Sequence, residues 1–325
     1  MVQGHFGLLI GQSGSFLRII NMIPRLTMSD ATVLISGETG TGKDLVARAI
    51  HYHGARKTKP FIPVNCAALP DHLVENELFG HARGAFTDAS STEKGLLAEA
   101  DGGTLFLDEI NALSGAAQGK LLRLLENKEY RPLGSTTFKT ANVRILAATN
   151  RELRQEVESG CFRQDLYYRL NTLCLDIPAL RERRGDISLL ARYFLDEYAG
   201  QYKRGALHFS ACAIGKMEGY NWPGNVRELQ GMIHRAVLLS SSSVLTSEHI
   251  DLPRRTHKVH FESGNLREIK ALTIEQFERT YLEDLLTAHH GNVSHAARHA
   301  GKERRSFQRL LQKYGLTGSG FRKVI

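Results

Sequence analysis

The segment Gly37-Glu38-Thr39-Gly40-Thr41-Gly42-Lys43 places three glycines in six residues and ends on a lysine. Glycines let consecutive backbone N–H groups turn inward from a tight loop, which is what a row of phosphate oxygens needs. If a helix starts at this lysine, its dipole adds favourable charge, and the Lys43 ammonium reaches the β and γ phosphates. Asp44 stands where a hydroxyl residue usually ligates magnesium; a carboxylate there meets the metal directly or through water. A second constellation is the apolar run 105–107 followed by Asp108 and Glu109. Asp108 suits a magnesium ion held with the phosphates, and Glu109 suits a general base that polarises water. Thr149-Asn150 closes another apolar run, so Asn150 either holds water near a γ phosphate or simply forms a loop. Arg163 and Arg169 are either stabilisers of charge developing on a transferred phosphoryl group or ordinary ion-pair residues.

These residues need a scaffold that brings them to one edge. Residues 31–36 (ATVLIS), 60–65, 103–108, 143–148 and 172–177 read as strands, with helical patterns at 44–53, 117–126 and 151–160 between them. Strand and helix in alternation predict a three-layer α/β domain with a mostly parallel sheet, whose ligands sit at the carboxyl ends of the strands. After Pro178 the pattern becomes helical: 186–201, 210–219, 225–239 and a shorter stretch at 246–250. Trp222-Pro223-Gly224-Asn225 reads as a turn, with Asn225 placed to cap the next helix. A polar stretch at 254–265 lacks apolar periodicity and reads as a basic linker. The expected division is therefore 1–176, 177–253, linker 254–265 and a last unit 266–325.

The last unit holds 11 Lys or Arg against 6 Asp or Glu, within a chain of 325 residues whose formal charge is +8. An amphipathic helix is expected at 274–286, with Phe277, Tyr281, Leu282 and Leu285 near one face, then a short helix at 293–299 and a longer one at 303–313 after Gly301. Phe307, Leu310 and Leu311 face inward on the third helix, leaving Arg304, Arg305, Ser306, Gln308, Arg309 and Lys313 outward. A basic helix after a short helix and a glycine turn suits the major groove of double-stranded DNA. Arg304, Arg305 and Gln308 would then reach base edges, and Arg309 and Lys313 phosphates. His295 and His299 lie four apart, but no third or fourth ligand accompanies them, so no metal is expected there.

Composition excludes other classes. Apolar residues make up 42% and charged residues 23%, and no run approaches the roughly 18 apolar residues of a membrane span. The N-terminus lacks the order of a signal peptide, and Cys66, Cys161, Cys174 and Cys212 are scattered as small apolar side chains would be. A cytoplasmic protein without membrane attachment is expected.

Taken together, GETGTGKD (37–44), VNCAAL (64–69), ELFGHARGAFTDA (77–89), GGTLFLDEI (102–110), FRQDLYYRLN (162–171), IPALRERRGDI (177–187) and WPGNVREL (222–229) resemble the bacterial enhancer-binding proteins. These are the AAA+ activators of sigma-54 RNA polymerase, and GNVSHAARHAG (291–301) with the basic helix is similar to their Fis-type ending. The resemblance implies an ATPase that uses ATP and Mg2+, with a helical lid subdomain. It makes residues 37–43 the Walker A loop, Asp108 and Glu109 Walker B, Asn65 the switch residue that holds the catalytic glutamate, and Asn150 sensor I. It makes Arg163 and Arg169 fingers offered to a neighbour's ATP, and Arg227 sensor II. It further implies a ring, usually a hexamer, that binds enhancer-like DNA and remodels sigma-54 holoenzyme, and a pairing of the Fis-type units for which Tyr281 and Leu285 are candidate dimer contacts.

Gly84-Ala85-Phe86-Thr87-Asp88-Ala89 matches the family's sigma-contact loop, GAFTGA, except that Asp88 replaces a glycine. That change removes backbone freedom and adds charge, leaving open a sigma-54-independent DNA-binding regulator whose ATPase controls assembly. The ATPase motifs begin near residue 1, so the expectation divides between regulation in trans and a chain excised from a longer protein.

Overall fold

The computed structural model describes residues 9–68, 70–86, 91–253, 274, 278, 281, 282, 285, 286, 289 and 291–316. The chain forms two compact units, Met1–Leu252 and Pro253–Ile325.

In the first unit, strands β1 (Val33–Ser36), β2 (Phe61–Asn65), β3 (Thr104–Asp108), β4 (Arg144–Thr149) and β5 (Leu173–Asp176) form one parallel sheet in the order β2-β3-β4-β1-β5. Side chains alternate across it. Leu105 and Leu107 enter one apolar cluster, with Leu121, Leu124, Leu166 and Leu170, while Phe106 enters the other, with Ile23, Val46 and Ile50. Both faces are covered by helices, as a parallel sheet requires. The covering helices are α1 (Gly14–Thr27) and α2 (Lys43–Tyr52) on one side, and α3 (Asp71–Phe79), α4 (Gly115–Asn127), α5 (Leu153–Glu158) and α6 (Gln164–Leu170) largely on the other. The expected helix at 151–160 is shorter at both ends, and Gly160, with φ 75°, turns the chain out of it.

The sequence reading missed α1. It buries Phe16, Ile19, Ile20, Ile23 and Leu26 against the sheet and starts at Ser13, whose hydroxyl accepts from Phe16 N–H. Beyond β5, α7 (Arg184–Gln201), α8 (Ala211–Glu218) and α9 (Asn225–Leu239) build a second apolar cluster around Trp222, whose indole N–H donates to the Met217 carbonyl at 2.8 Å. Residues 246–250 form no helix. The chain there follows a two-residue strand, Val244–Leu245, paired in parallel with His208–Phe209.

The second unit packs Leu282, Leu285 and Leu286 against Ala296, Ala297, Phe307, Leu311 and Tyr314. Its elements are α10 (Val293–His299), capped by the Asn292 side chain, and α11 (Arg304–Lys313). Of the expected helix at 274–286, the described residues are helical, whereas Phe277 lies outside them. Leu285 is buried in this unit's own core, so it is not available as a dimer contact, whereas Tyr281 is exposed.

The expectation that all four cysteines serve as small apolar side chains holds for one of them. Cys66 is buried, but Cys161, Cys174 and Cys212 are exposed and pack no core.

Candidate functional site

The loop at 37–43 leaves β1 and opens α2, at the point where β1 lies between β4 and β5. Three glycines there have left-handed or nearby backbone: Gly37 (φ 151°), Gly40 (φ 81°) and Gly42 (φ 95°). Gly40 is also sterically required, because a Cβ would lie 2.3 Å from the Gly224 carbonyl oxygen. Lys43 is only 8% exposed, and its ammonium donates to the carbonyls of Gly37 at 2.8 Å and Glu38 at 3.2 Å. Burial lowers its pKa, opposed by the charges of Asp108 and Glu109. Among the described residues no carboxylate pairs with it directly, so the loop holds a buried cation suited to an anionic ligand.

Asp108 ends β3, and the next residue, Glu109, takes a left-handed backbone (φ 53°) whose N–H donates to Asp108 Oδ1 at 3.0 Å. Asn65 is the register partner of Asp108 on β2. Its Oδ1 accepts from the Ala67 N–H at 2.9 Å, and among the described residues it makes no hydrogen bond to Glu109. Behind these acids, burial and then the Asp108 and Glu109 charges push the Cys66 thiol up to about 12. Asn150 follows β4, and its Nδ2 donates to Thr39 Oγ1 at 3.3 Å. The sheet therefore brings the loop, the two acids, Asn65 and Asn150 to its carboxyl edge.

A cavity of about 370 Å³ lies against the loop, between it and the helices that follow β5. Gly40, Thr41, Gly42, Asp44 and Arg227 line it, and Leu9, Ile10, Phe16, Leu190 and Phe194 supply an apolar wall. Asp44 is exposed on the first turn of α2 and Arg227 on the first turn of α9. The aliphatic and aromatic wall, with polar loop groups at one end, fits a base attached to phosphates. Sequence reasoning missed this wall, since Phe16 belongs to an unread helix and Leu190 and Phe194 to α7, remote from the loop in sequence.

Arg163 and Arg169 behave differently. Arg163 begins α6 and chelates Asp165 at 2.7 and 3.0 Å, and Arg169 is exposed on the same helix. Neither lines the cavities flanking its own phosphate loop.

The strongest correction concerns Asn225. Its backbone is left-handed (φ 52°), and its side chain caps nothing in α9. Instead Oδ1 accepts from Leu180 N–H at 2.8 Å, and Nδ2 donates to Thr39 O at 3.0 Å and Glu38 Oε2 at 3.1 Å. Glu38 also takes a two-pronged contact from Arg181, at 2.6 and 2.8 Å.

In the 84–89 loop, Gly84 is left-handed (φ 82°), Ala85 N–H donates to Ala82 O, and Phe86 is 45% exposed beside the His81 ring. Thr87, Asp88 and Ala89 lie outside the described residues. In the second unit, Arg304, Arg305, Ser306, Gln308, Arg309 and Lys313 are all exposed on α11, opposite buried Phe307 and Leu311. Lys313 is already engaged, donating to the Tyr314 hydroxyl at 2.6 Å and lying 3.5 Å from Glu278.

A family model for the sigma-54 interaction domain matches residues 9–176, one for the AAA+ ATPase lid domain matches 181–268, and one for the Fis family of bacterial regulatory proteins matches 273–314. The chain belongs to the AAA+ sigma-54 activator family. It is 44% identical over 315 residues to the transcriptional regulatory protein GlrR of Escherichia coli K12, covering 97% of this chain and 70% of that protein. Regulatory protein AtoC of the same strain is 41% identical over 318 residues, covering 96% and 68%. The crystal structure of NtrX from Brucella abortus in complex with ATP superposes with a TM-score of 0.72 at 31% identity, over 95% of this chain and 70% of that one. This family member is accordingly an ATP-binding, ATP-hydrolysing transcription regulator with a Fis-type DNA-binding unit. Among the described residues, no helix is long and apolar enough to cross a membrane.

Proposed function

We propose that this activator binds enhancer-like double-stranded DNA through α11, assembles through its first unit into an ATPase ring, a hexamer in the family's usual form, and remodels sigma-54 RNA polymerase holoenzyme. The observation that carries the reading is the division of the arginines. Arg227 lines the cavity beside its own phosphate loop, whereas Arg163 and Arg169 sit exposed and away from it. A hydrolytic site whose finger residues point away from its own nucleotide is complete only when a second copy supplies them.

Residues Gly37 to Gly42 cradle the phosphates with backbone N–H groups, and Lys43 transfers its ammonium from the loop carbonyls to the β and γ oxygens. Asp108, with Asp44 nearby on α2, would hold Mg2+, which when bound neutralises charge on those oxygens. The Glu109 carboxylate accepts a proton from the attacking water, and Asn150 orients that water from the next strand end. Asn65, whose Oδ1 is held by the Ala67 N–H here, restrains Glu109 by donating from its Nδ2 to the glutamate carboxylate. Arg163 leaves Asp165 to meet the neighbour's γ phosphoryl together with Arg169, and Arg227 reports the γ phosphate to the lid. The 84–89 loop, in which Phe86 is exposed, delivers the resulting motion to the sigma factor.

A second reading is favoured by Asp88: a DNA-binding regulator whose ATPase controls assembly and which does not engage sigma-54. Mixing the protein with purified sigma-54 and ADP–aluminium fluoride separates the two. A stable complex with the native chain supports remodelling of the holoenzyme; a complex formed only by Asp88→Gly supports the second reading. The shared-site mechanism is tested by the ATPase rate per chain, expected to rise steeply with protein concentration and to collapse in Arg163→Ala or Arg169→Ala. A rate independent of concentration removes the ring.

A further inference from the structure

The chemistry above gives no task to the side chains of Glu38 and Asn225, yet both are committed to one contact. Glu38, Thr39 and Gly40 are each bonded to the helices that follow β5. Glu38 carboxylate oxygens accept from Arg181 and from Asn225 Nδ2, and Thr39 O accepts from the same Nδ2. Gly40 O accepts from the first N–H groups of α9, Val226 at 3.0 Å and Arg227 at 3.3 Å. Asn225 is fully buried, and its Oδ1 secures the Leu180 N–H at the start of the next segment. The other face of the loop is occupied by Lys43, whose ammonium is held by the carbonyls of Gly37 and Glu38.

A phosphate loop turns its N–H groups inward and so leaves its carbonyls outward in search of donors. Here the donors for residues 39 and 40 belong to the lid, that for 37 is the lysine that phosphate competes for, and 38 is served by the same lysine and by the Thr41 hydroxyl at 2.8 Å. We infer that Glu38 and Asn225 are positioning residues that make the shape of the phosphate loop and the placement of α9 a single variable. When Lys43 turns to phosphate, the Gly37 carbonyl loses its donor, the Glu38 carbonyl keeps only Thr41, and the loop re-seats. The Glu38 and Asn225 contacts carry that shift to Arg181, to Leu180 and to the α9 turn that bears Arg227. This inference rests on the nucleotide site proposed above. A side chain that merely capped α9 would bond to an N–H within it, and Asn225 does not.

The test uses the full chain with Arg181→Gln and Asn225→Ala, so that if the buried substitution prevents folding the exposed one still decides. Three quantities are read: fluorescent ADP affinity, ATPase kcat and KM, and hydrogen–deuterium exchange of segments 37–44 and 178–187 with and without ADP. In Arg181→Gln the ADP affinity is expected within about threefold of the native chain, as befits a half-exposed ion pair. Its kcat is expected to fall about tenfold with KM little changed, because misplacement rather than lost binding limits it. ADP should still protect 37–44, while the protection it confers on 178–187 in the native chain disappears. Lid protection that responds to ADP as in the native chain, or kcat unchanged, overturns the inference. Failure of the native chain itself to bind ADP overturns the nucleotide site, a result distinct from either of these.

Discussion

Replacing Asp186 with Ala should remove about 4 kcal/mol from the stability of the first unit. Its carboxylate is fully buried and accepts four hydrogen bonds: from Gln12 N–H at 2.6 Å, Ser13 N–H at 2.8 Å, Ser13 Oγ–H at 2.7 Å and Arg183 Nε at 2.8 Å. Arg183 is equally buried, donates to the Ile10 carbonyl, and stacks 3.5 Å from the centre of the Phe16 ring. Alanine would leave that guanidinium without its counter-ion and two chain N–H groups without an acceptor. Breaking a buried pair from one side costs about 3–5 kcal/mol. For a unit of this size that corresponds to a melting temperature lower by about 12 °C. The assay is thermal and urea denaturation followed by circular dichroism without nucleotide, with limited proteolysis across residues 9–13 as a local probe. Replacing both partners, Arg183→Met with Asp186→Leu, should recover much of the loss, since no charge is then stranded. A loss below about 1 kcal/mol in the single variant would refute the assignment of this pair as the anchor of the N-terminal segment. The pH dependence has a definite sign. Burial raises the carboxyl, but the bonds from Gln12, Ser13 and Arg183 outweigh it and hold it below 3.8. The stabilisation is therefore complete above that pH and is lost as pH falls through the folded value.

Four further outcomes are expected. Gly40→Ala should weaken ADP binding by at least about tenfold in a fluorescence titration, because a Cβ meets the Gly224 carbonyl and the backbone is left-handed; unchanged affinity would contradict the close approach of loop and lid. His51 is buried with Nδ1 3.0 Å from Thr104 Oγ1, and burial holds its pKa below 6.5. The unfolded chain thus binds the extra proton first, so stability should decline as pH drops below 6.5, and less steeply in His51→Gln, as urea midpoints across pH 5–7.5 would report. On the second unit, Arg309→Ala should lower the slope of log affinity against log salt by about 0.9, whereas Gln308→Ala should cost about 1–3 kcal/mol on the preferred DNA site alone, measured by fluorescence anisotropy.

Local sequence carried the placement of the glycine loop and the two acids at the sheet's edge. Gly37 to Lys43 and Asp108-Glu109 are contiguous, and each sits at the end of an apolar run, so adjacency along the chain already specifies adjacency in space. Helix α1 was missed although Phe16, Ile19, Ile20, Ile23 and Leu26 have helical spacing, because Pro24 and the nearby glycines obscure it. Asn225 shows the limit of residue-type reasoning. Asparagine before a helical pattern suggests a cap, yet a left-handed backbone turns this side chain away from its own helix. What turns it is tertiary: the Leu180 N–H and the Thr39 carbonyl are far off in sequence. The Glu38–Arg181 pair spans 143 positions and has no local signature at all. Nor could composition tell that Leu285 would be consumed by its own core, because an apolar face on a helix looks the same whether it meets the same chain or another.

The backbone at Glu109 has an implication for engineering. A side-chain-bearing residue held at φ 53° works against its own torsional preference, by about 1–2 kcal/mol. Glycine would relieve that tension, so a search for heat-resistant versions of this protein, blind to turnover, is drawn to the very position proposed above to take the proton from water. Durability and hydrolysis compete there for one residue.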